Sequence, residues 1–151
     1  MKKENWKKFR ILAWIGFAVY LVAMVYFLFF CEEMGRVPSR TYRYNFEPFT
    51  EIKRCLSHSD RLYVILNLFG NVVCFVPLGF VLPILSSKRW SFIKVTFLSM
   101  SASILIEVIQ LVTKLGSCDV DDIILNTCGG IIGCIIYYIC RGIYRLGRKR
   151  K

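Results

Sequence analysis

From Ile11 to Phe30 the chain runs ILAWIGFAVYLVAMVYFLFF, twenty residues without one charge. At about 1.5 Å of rise per residue, such a helix covers about 30 Å, the thickness of a bilayer's hydrocarbon core. This run sets the solvent before any other feature is considered. It is too long for the apolar region of a signal peptide, and no small-residue cleavage site follows it. Phe30 is also too bulky for the position before Cys31 in a lipoprotein processing site.

Three further apolar blocks follow, at about 62–85, 92–112 and 123–140. The overall figures, 56% hydrophobic and 21% charged, are only mildly unusual beside a soluble average of about 45–50% apolar and about 25% charged. What separates this chain from a globular one is segregation, with the charges almost all between or outside the blocks. The expectation is a single domain over residues 1–151, all-α, folded as a four-helix transmembrane bundle with a long first extracytoplasmic loop. Pro77, Gly79 and Pro83 interrupt the second block. Neighbouring helices re-satisfy the backbone groups such residues free, and Pro77 is expected to kink that helix.

Charge orients the bundle. The two tails and the turn between the second and third blocks hold 14 of the 21 basic residues and, of the ten acids, only Glu4. The opposite side holds seven basic and eight acidic residues. The positive-inside rule then puts both termini in the cytoplasm of a multi-pass protein of the cell membrane, as an even number of spans requires. The net charge of +11 belongs to this topology, and no basic soluble module is present to bind nucleic acid. The C-terminal basic cluster also suits anionic lipid headgroups, although its topological role is sufficient.

The outward loops are then Cys31–Arg61 and Thr113–Asp122. In the longer one Phe49, Ile52 and Leu56 fall near one helical face, a pattern that suits a short interfacial helix. Cys74, Cys128, Cys134 and Cys140 lie within apolar blocks as small hydrophobes. An odd set of three outside them, Cys31, Cys55 and Cys118, gives only weak grounds for a disulfide. His58, the single histidine, has no partner at metal-ligand spacing, so neither a zinc site nor any cofactor is expected.

Polar residues within the blocks cluster toward one end. Asn67 and Asn71 are one helical turn apart, as are Glu107 and Gln110, while Asp119, Asp121, Asp122 and Asn126 run from the short loop into the fourth block. A carboxylate at mid-membrane costs about 2.5–3.5 kcal/mol on insertion scales, so Glu107 needs a partner or a wet recess. Asp119 and Asp122 also stand where a helix cap belongs. Asp119, Asp122 and Glu107 together offer a conceivable divalent-cation site, without the loop spacing of an EF-hand. Gly129 and Gly133 form a G-x-x-x-G pair, and with Gly79, Gly130 and Pro77 they read as packing positions within the bundle rather than a dimer face. The expected binding cluster is Asn71, Glu107, Gln110, Asp119, Asp122 and Asn126, converging near the outer leaflet.

Three patches together resemble the VanZ-like family of bacterial membrane proteins: Asn45-Phe-Glu-Pro-Phe49; Asn71-Val-Val-Cys-Phe-Val-Pro-Leu-Gly79; and Glu107-Val-Ile-Gln110 followed by Asp119-Val-Asp-Asp122 and Asn126-Thr-Cys-Gly-Gly130 with Gly133. They cover about residues 40–140 in consistent order. Where many relatives have Gly-Arg before the first aspartate, Gly116 is followed here by Ser117, so a counter-ion for the acidic loop is absent or comes from Lys114. The resemblance implies a role in the cell envelope, in a family named for a member that confers teicoplanin resistance.

Three functions compete at this point. The favoured one is a non-enzymatic binder of a lipid, a lipid-linked cell-wall precursor or a lipoglycopeptide at the outer polar cluster. The alternative is a small membrane enzyme acting on a lipid-linked envelope substrate, with Glu107 and the loop aspartates as acid, base or metal ligands. A transporter would need oligomerisation, and no inverted repeat is visible. No catalytic constellation of nucleophile, histidine and acid is present.

Overall fold

The protein is described here from a computed structural model that covers residues 3–30, 40–85 and 91–149. Five helices and one minimal strand pair make up these residues: α1 Lys3–Phe30, β1 Tyr44–Asn45, α2 Thr50–Leu56, α3 Arg61–Leu85, α4 Phe92–Thr113, β2 Cys118–Asp119 and α5 Val120–Lys149. Cys31 and the turn at 86–90 lie outside the described residues, and the expected loop 31–61 is described from residue 40 onward.

Local chemistry sets the helix ends. Asp60 Oδ1 accepts the Leu62 backbone N–H at 2.9 Å, which caps α3. Ser91 Oγ accepts the Lys94 N–H at 3.4 Å ahead of α4, and Lys114, in the left-handed region at φ 58°, ends it. The expected second and third spans therefore match α3 and α4 to within a residue. The first and last helices run further than expected. α1 begins at Lys3 rather than 11, and α5 covers 120–149 rather than 123–140, because lysine and arginine are good helix formers. Pro77 and Pro83 lie inside α3, which continues as one helix through both.

Among the described residues three segments, Val64–Leu85, Phe92–Thr113 and Val120–Arg148, are long and apolar enough to cross a membrane. The apolar stretch Trp14–Phe30 of α1 is shorter. Large hydrophobic side chains such as Val22, Val73, Ile93, Phe97 and Val112 stand on the outside of the bundle, as lipid-facing residues do.

Packing centres on α3 and α5, which make the largest helix–helix contact, followed by α4 with α5. A Cβ placed on Gly129 would strike the Val72 carbonyl, and one on Gly133 the Val76 carbonyl. These pairs lie one turn apart on both helices, so α3 and α5 run in the same direction with their backbones in contact. Gly79 meets the Gly130 backbone, and Gly130 meets the Ser99 side chain on α4. An apolar cluster of Met24, Leu28, Phe75, Leu78 and Ile106 attaches α1 to α3 and α4.

Candidate functional site

The interior of this bundle holds many polar side chains beside its apolar cluster. Of the eleven largest fully buried side chains among the described residues, seven are Gln110, Glu107, Asn71, Asn126, Asp121, Ser99 and Ser103. In a soluble core these positions would hold leucine or valine. In lipid the preference inverts, because a polar side chain avoids the tails by facing the other helices.

On α4 the polar set is a single stripe. Ser99, Ser103, Glu107 and Gln110 are spaced by four, four and three residues and are all buried. The stripe faces α5, where Asn126 Nδ2 donates to Ser103 Oγ at 2.9 Å. Gln110 Nε2 instead donates to the Leu28 carbonyl of α1 at 2.6 Å. Glu107 lies six residues inside the end of α4, about 9 Å along the helix, and its Oε2 accepts the Asp119 backbone N–H at 2.8 Å.

The three aspartates at the start of α5 have three different tasks. Asp119 stands just before the helix, and its Oδ1 accepts the Asp121 N–H at 2.8 Å, the geometry of an N-cap. Asp121 points away from its own helix and accepts the N–H groups of Phe49 at 2.5 Å and Ile52 at 3.1 Å. It thereby caps α2, whose own N-cap residue, Phe49, adopts φ 67° and supplies no side-chain cap. A carboxylate at that helix start is also favoured by the helix dipole. Asp122 Oδ1 accepts Asn71 Nδ2 at 2.6 Å, which joins α5 to α3.

The motif Asn45–Phe49 acts as the other half of a clamp. Asn45 Nδ2 donates to both Asp119 oxygens, at 3.2 and 3.3 Å, while its Oδ1 accepts the Glu47 N–H at 3.1 Å. The parallel pairing of Tyr44 with Cys118 and Asn45 with Asp119 brings these segments together. Cys118 N donates to the Arg43 carbonyl at 3.0 Å. Tyr42, Tyr44, Phe46 and Phe49 remain exposed around the clamp, with Tyr44 stacked on Phe46. Lys114 lies over the Tyr42 ring and donates to the Arg40 carbonyl at 3.3 Å.

Burial, reinforced by Asp122 and Glu51, pushes the Asp119 carboxyl up to about 6, against the lowering effect of its bonds from Asp121 and Asn45. Burial also raises the Cys118 thiol, with Glu107, Asp119 and Asp122 adding to the effect.

Of the residues expected to cluster, Asn71 meets Asp122 and Glu107 meets Asp119. Asn126 lies one turn below Asp122 with Ser103 as its partner, and Gln110 turns toward α1. The conceivable divalent grouping of Asp119, Asp122 and Glu107, which was not the favoured reading, is not formed. Among the described residues no three His, Cys, Asp or Glu side chains are placed to hold a metal ion, because these acids are spent on backbone and amide N–H groups. Cys55 and Cys118 are both free thiols. Sequence reasoning passed over Asn45, Asp121, Ser99 and Ser103 as site residues. The spacing of the two serines from Glu107 was the available signal, since it repeats at one turn.

A polar cluster enclosed by long apolar helices defines an all-helical membrane protein with an interior site at one end of its bundle. The chain belongs to the VanZ/LLP1 family, whose sequence pattern it matches over residues 17–141. It is 27% identical over 123 residues to Protein VanZ of Enterococcus faecium, a match covering 80% of this chain and 70% of that protein. No solved structure matches.

Proposed function

We propose that this protein works in the bacterial cell envelope as a non-enzymatic binder of a membrane amphiphile: a lipid, a lipid-linked cell-wall precursor or a lipoglycopeptide. In this reading α1 is a fourth span, both termini are cytoplasmic and the clamp faces outward, as the charge bias requires. A contribution to resistance against lipid-bearing glycopeptides of the teicoplanin type follows from kinship with Protein VanZ.

The observation that carries the reading is the coincidence of the buried polar cluster with an exposed aromatic rim at one end of the bundle. Aromatic side chains favour the membrane interface. An amphiphile anchored there, gaining about 0.8 kcal/mol for each buried CH₂, would present its headgroup beside Asp119 and Asn45. The aspartates speak against an enzyme, since Asp119 and Asp121 hold backbone N–H groups in place rather than standing ready for proton transfer.

Native mass spectrometry of the full-length protein released from bilayers tests this. The wild type is expected to retain an amphiphile that Glu107→Gln loses at least several-fold. Equal retention by both would reject the cluster as the binding site. Impermeant thiol labelling in intact cells tests the topology. A single cysteine at exposed position 42 should react and one at position 148 should not, and the reverse would invert the orientation.

A further inference from the structure

Near its start, the outer face of α4 carries an open groove of about 370 Å³ lined by Ile93, Lys94, Phe97 and Leu98. That volume falls within the range of about 300–1,000 Å³ typical of ligand pockets. Ile93 and Lys94 stand one helical turn before Phe97 and Leu98, so the four make one patch. Val95 and Ser99, both fully buried, turn into the bundle instead, so the groove opens away from the polar stripe. Its wall is apolar throughout. Lys94 therefore lends the wall its methylene stem and holds its ammonium outside the groove, as long basic side chains at membrane interfaces do.

Helix direction places this groove at the basic end of the bundle. α4 runs antiparallel to α5, since Gly130 meets Ser99 while Asn126 meets Ser103. The start of α4 therefore lies at the same end as the last turns of α5, which carry Arg141, Arg145 and Arg148. Phe97 is about 20 Å along α4 from Gln110, and so is remote from the clamp. Neither helix brings an acid to this end: the first acid of α4 is Glu107, and α5 has none after Asp122. The N-terminal end of α4 adds positive potential at the same level.

We infer that this groove is a binding site for one anionic phospholipid, whose acyl chain lies along Ile93, Phe97 and Leu98 and whose phosphate meets the Lys94 ammonium. An apolar channel with a cation at its rim has the polarity of such a lipid, chain against hydrocarbon and charge against charge. A zwitterionic lipid offers the same chain, but its own ammonium offsets what Lys94 gains. One basic residue beside an anionic headgroup is worth about fivefold in binding. The C-terminal basic cluster attracts the same lipids through a diffuse field, whereas the groove fixes one chain and one headgroup in place. In the topology proposed above this is the cytoplasmic leaflet, so the site is separate from the amphiphile at the clamp.

Tryptophan quenching by brominated lipids tests this on the full-length protein in nanodiscs. Trp6, Trp14 and Trp90 are replaced by phenylalanine, and Phe97→Trp puts a reporter in the groove, with Ile93→Trp as a second. Phe97 is 62% exposed and Ile93 76%, so either position accommodates the larger ring. Brominated phosphatidylglycerol should quench at a mole fraction about fivefold lower than brominated phosphatidylcholine of the same chains. Lys94→Gln should remove that preference and Lys94→Arg should keep it. Arg145→Gln, an equal loss of charge outside the groove, should leave it unchanged. Equal quenching by the two lipids in the reporter protein would mean exchangeable boundary lipid only and would overturn the proposal. A preference that survives Lys94→Gln, or that Arg145→Gln lowers as far, would overturn it equally. Amphiphile retention at the clamp is read separately, so either idea can fail without the other.

Discussion

The two seams that α5 makes with its neighbours are built on opposite principles. Against α3 the contact is glycine on backbone below the Asn71–Asp122 bond, at Gly129 with Val72 and Gly133 with Val76. Against α4 it is polar, with Asn126 on Ser103 and Glu107 on the chain entering α5. Lipid tails give helices no hydrophobic reason to associate, so close packing and hydrogen bonds must do so. This protein assigns the two means to different faces of one helix. The glycine seam sets position and tolerates no added atom. The polar seam is under-filled in hydrogen bonds, with unpartnered oxygens at Asn126 and Ser99. A seam that only had to hold helices together would not be left in that state.

The comparison breaks most sharply at Gly133. A valine there must displace the Val76 carbonyl and the Phe80 N–H, both backbone. The expected cost is at or above the roughly 3 kcal/mol upper end of ordinary overpacking, read as lost monodisperse yield and Tm. Gly142 and Gly147, with open space around them, are the controls. Alanine at either should be neutral or slightly stabilising, by up to about 1 kcal/mol, since it favours the helix.

A smaller effect is expected at Asp121. Asp121→Ala removes the trans-cap of α2 and leaves the Phe49 and Ile52 N–H groups without their acceptor, at about 1–3 kcal/mol. The loss should be local. Cys55, 3% exposed in the clamped state, should label with a thiol reagent severalfold faster, while the yield of folded bundle stays near wild type. Global unfolding would instead place the clamp in the core of the fold.

The smallest effect is a pH dependence. The folded Asp119 carboxyl, raised to about 6 from an ordinary 3.8, favours the protonated form. Its contribution to stability is therefore fully present below about 3.8 and is lost as the pH rises through about 6. Asp119→Asn, an equally good N-cap, should remove that loss. The Tm difference, variant minus wild type, should grow between pH 4 and pH 7. A flat difference would mean that the carboxylate is compensated in the folded state.

How much of this was legible in the sequence depends on the kind of interaction. α3 and α4 were readable almost to the residue because their apolar blocks, broken in α4 only by Lys94 and Glu107, end where the helices end. The ends of α1 and α5 were not, because Lys3–Lys8 and Arg141–Lys149 stop being apolar without ceasing to be helical. The carboxylates and amides stood out against apolar blocks, so the cluster's members were visible. Their pairing was not, since Asn45 and Asp119 are 74 residues apart and join through a two-residue strand pair. Asp121 was seen but passed over because its partners are backbone N–H groups, which leave no trace in a sequence. Ser99 and Ser103 were not singled out, because their spacing from Glu107 takes on meaning only with a helix to face.

The central claim, that the polar end of the bundle acts on amphiphiles rather than only holding helices together, is tested most directly in a sensitised bacterial host. Susceptibility to a lipid-bearing glycopeptide and the membrane level of the protein would be measured together for the wild type, Glu107→Ala and Asp122→Ala. The account predicts a modest rise in resistance with the wild type that both variants abolish at unchanged membrane level. Resistance persisting in well-expressed variants, or falling only in step with protein abundance, would contradict it.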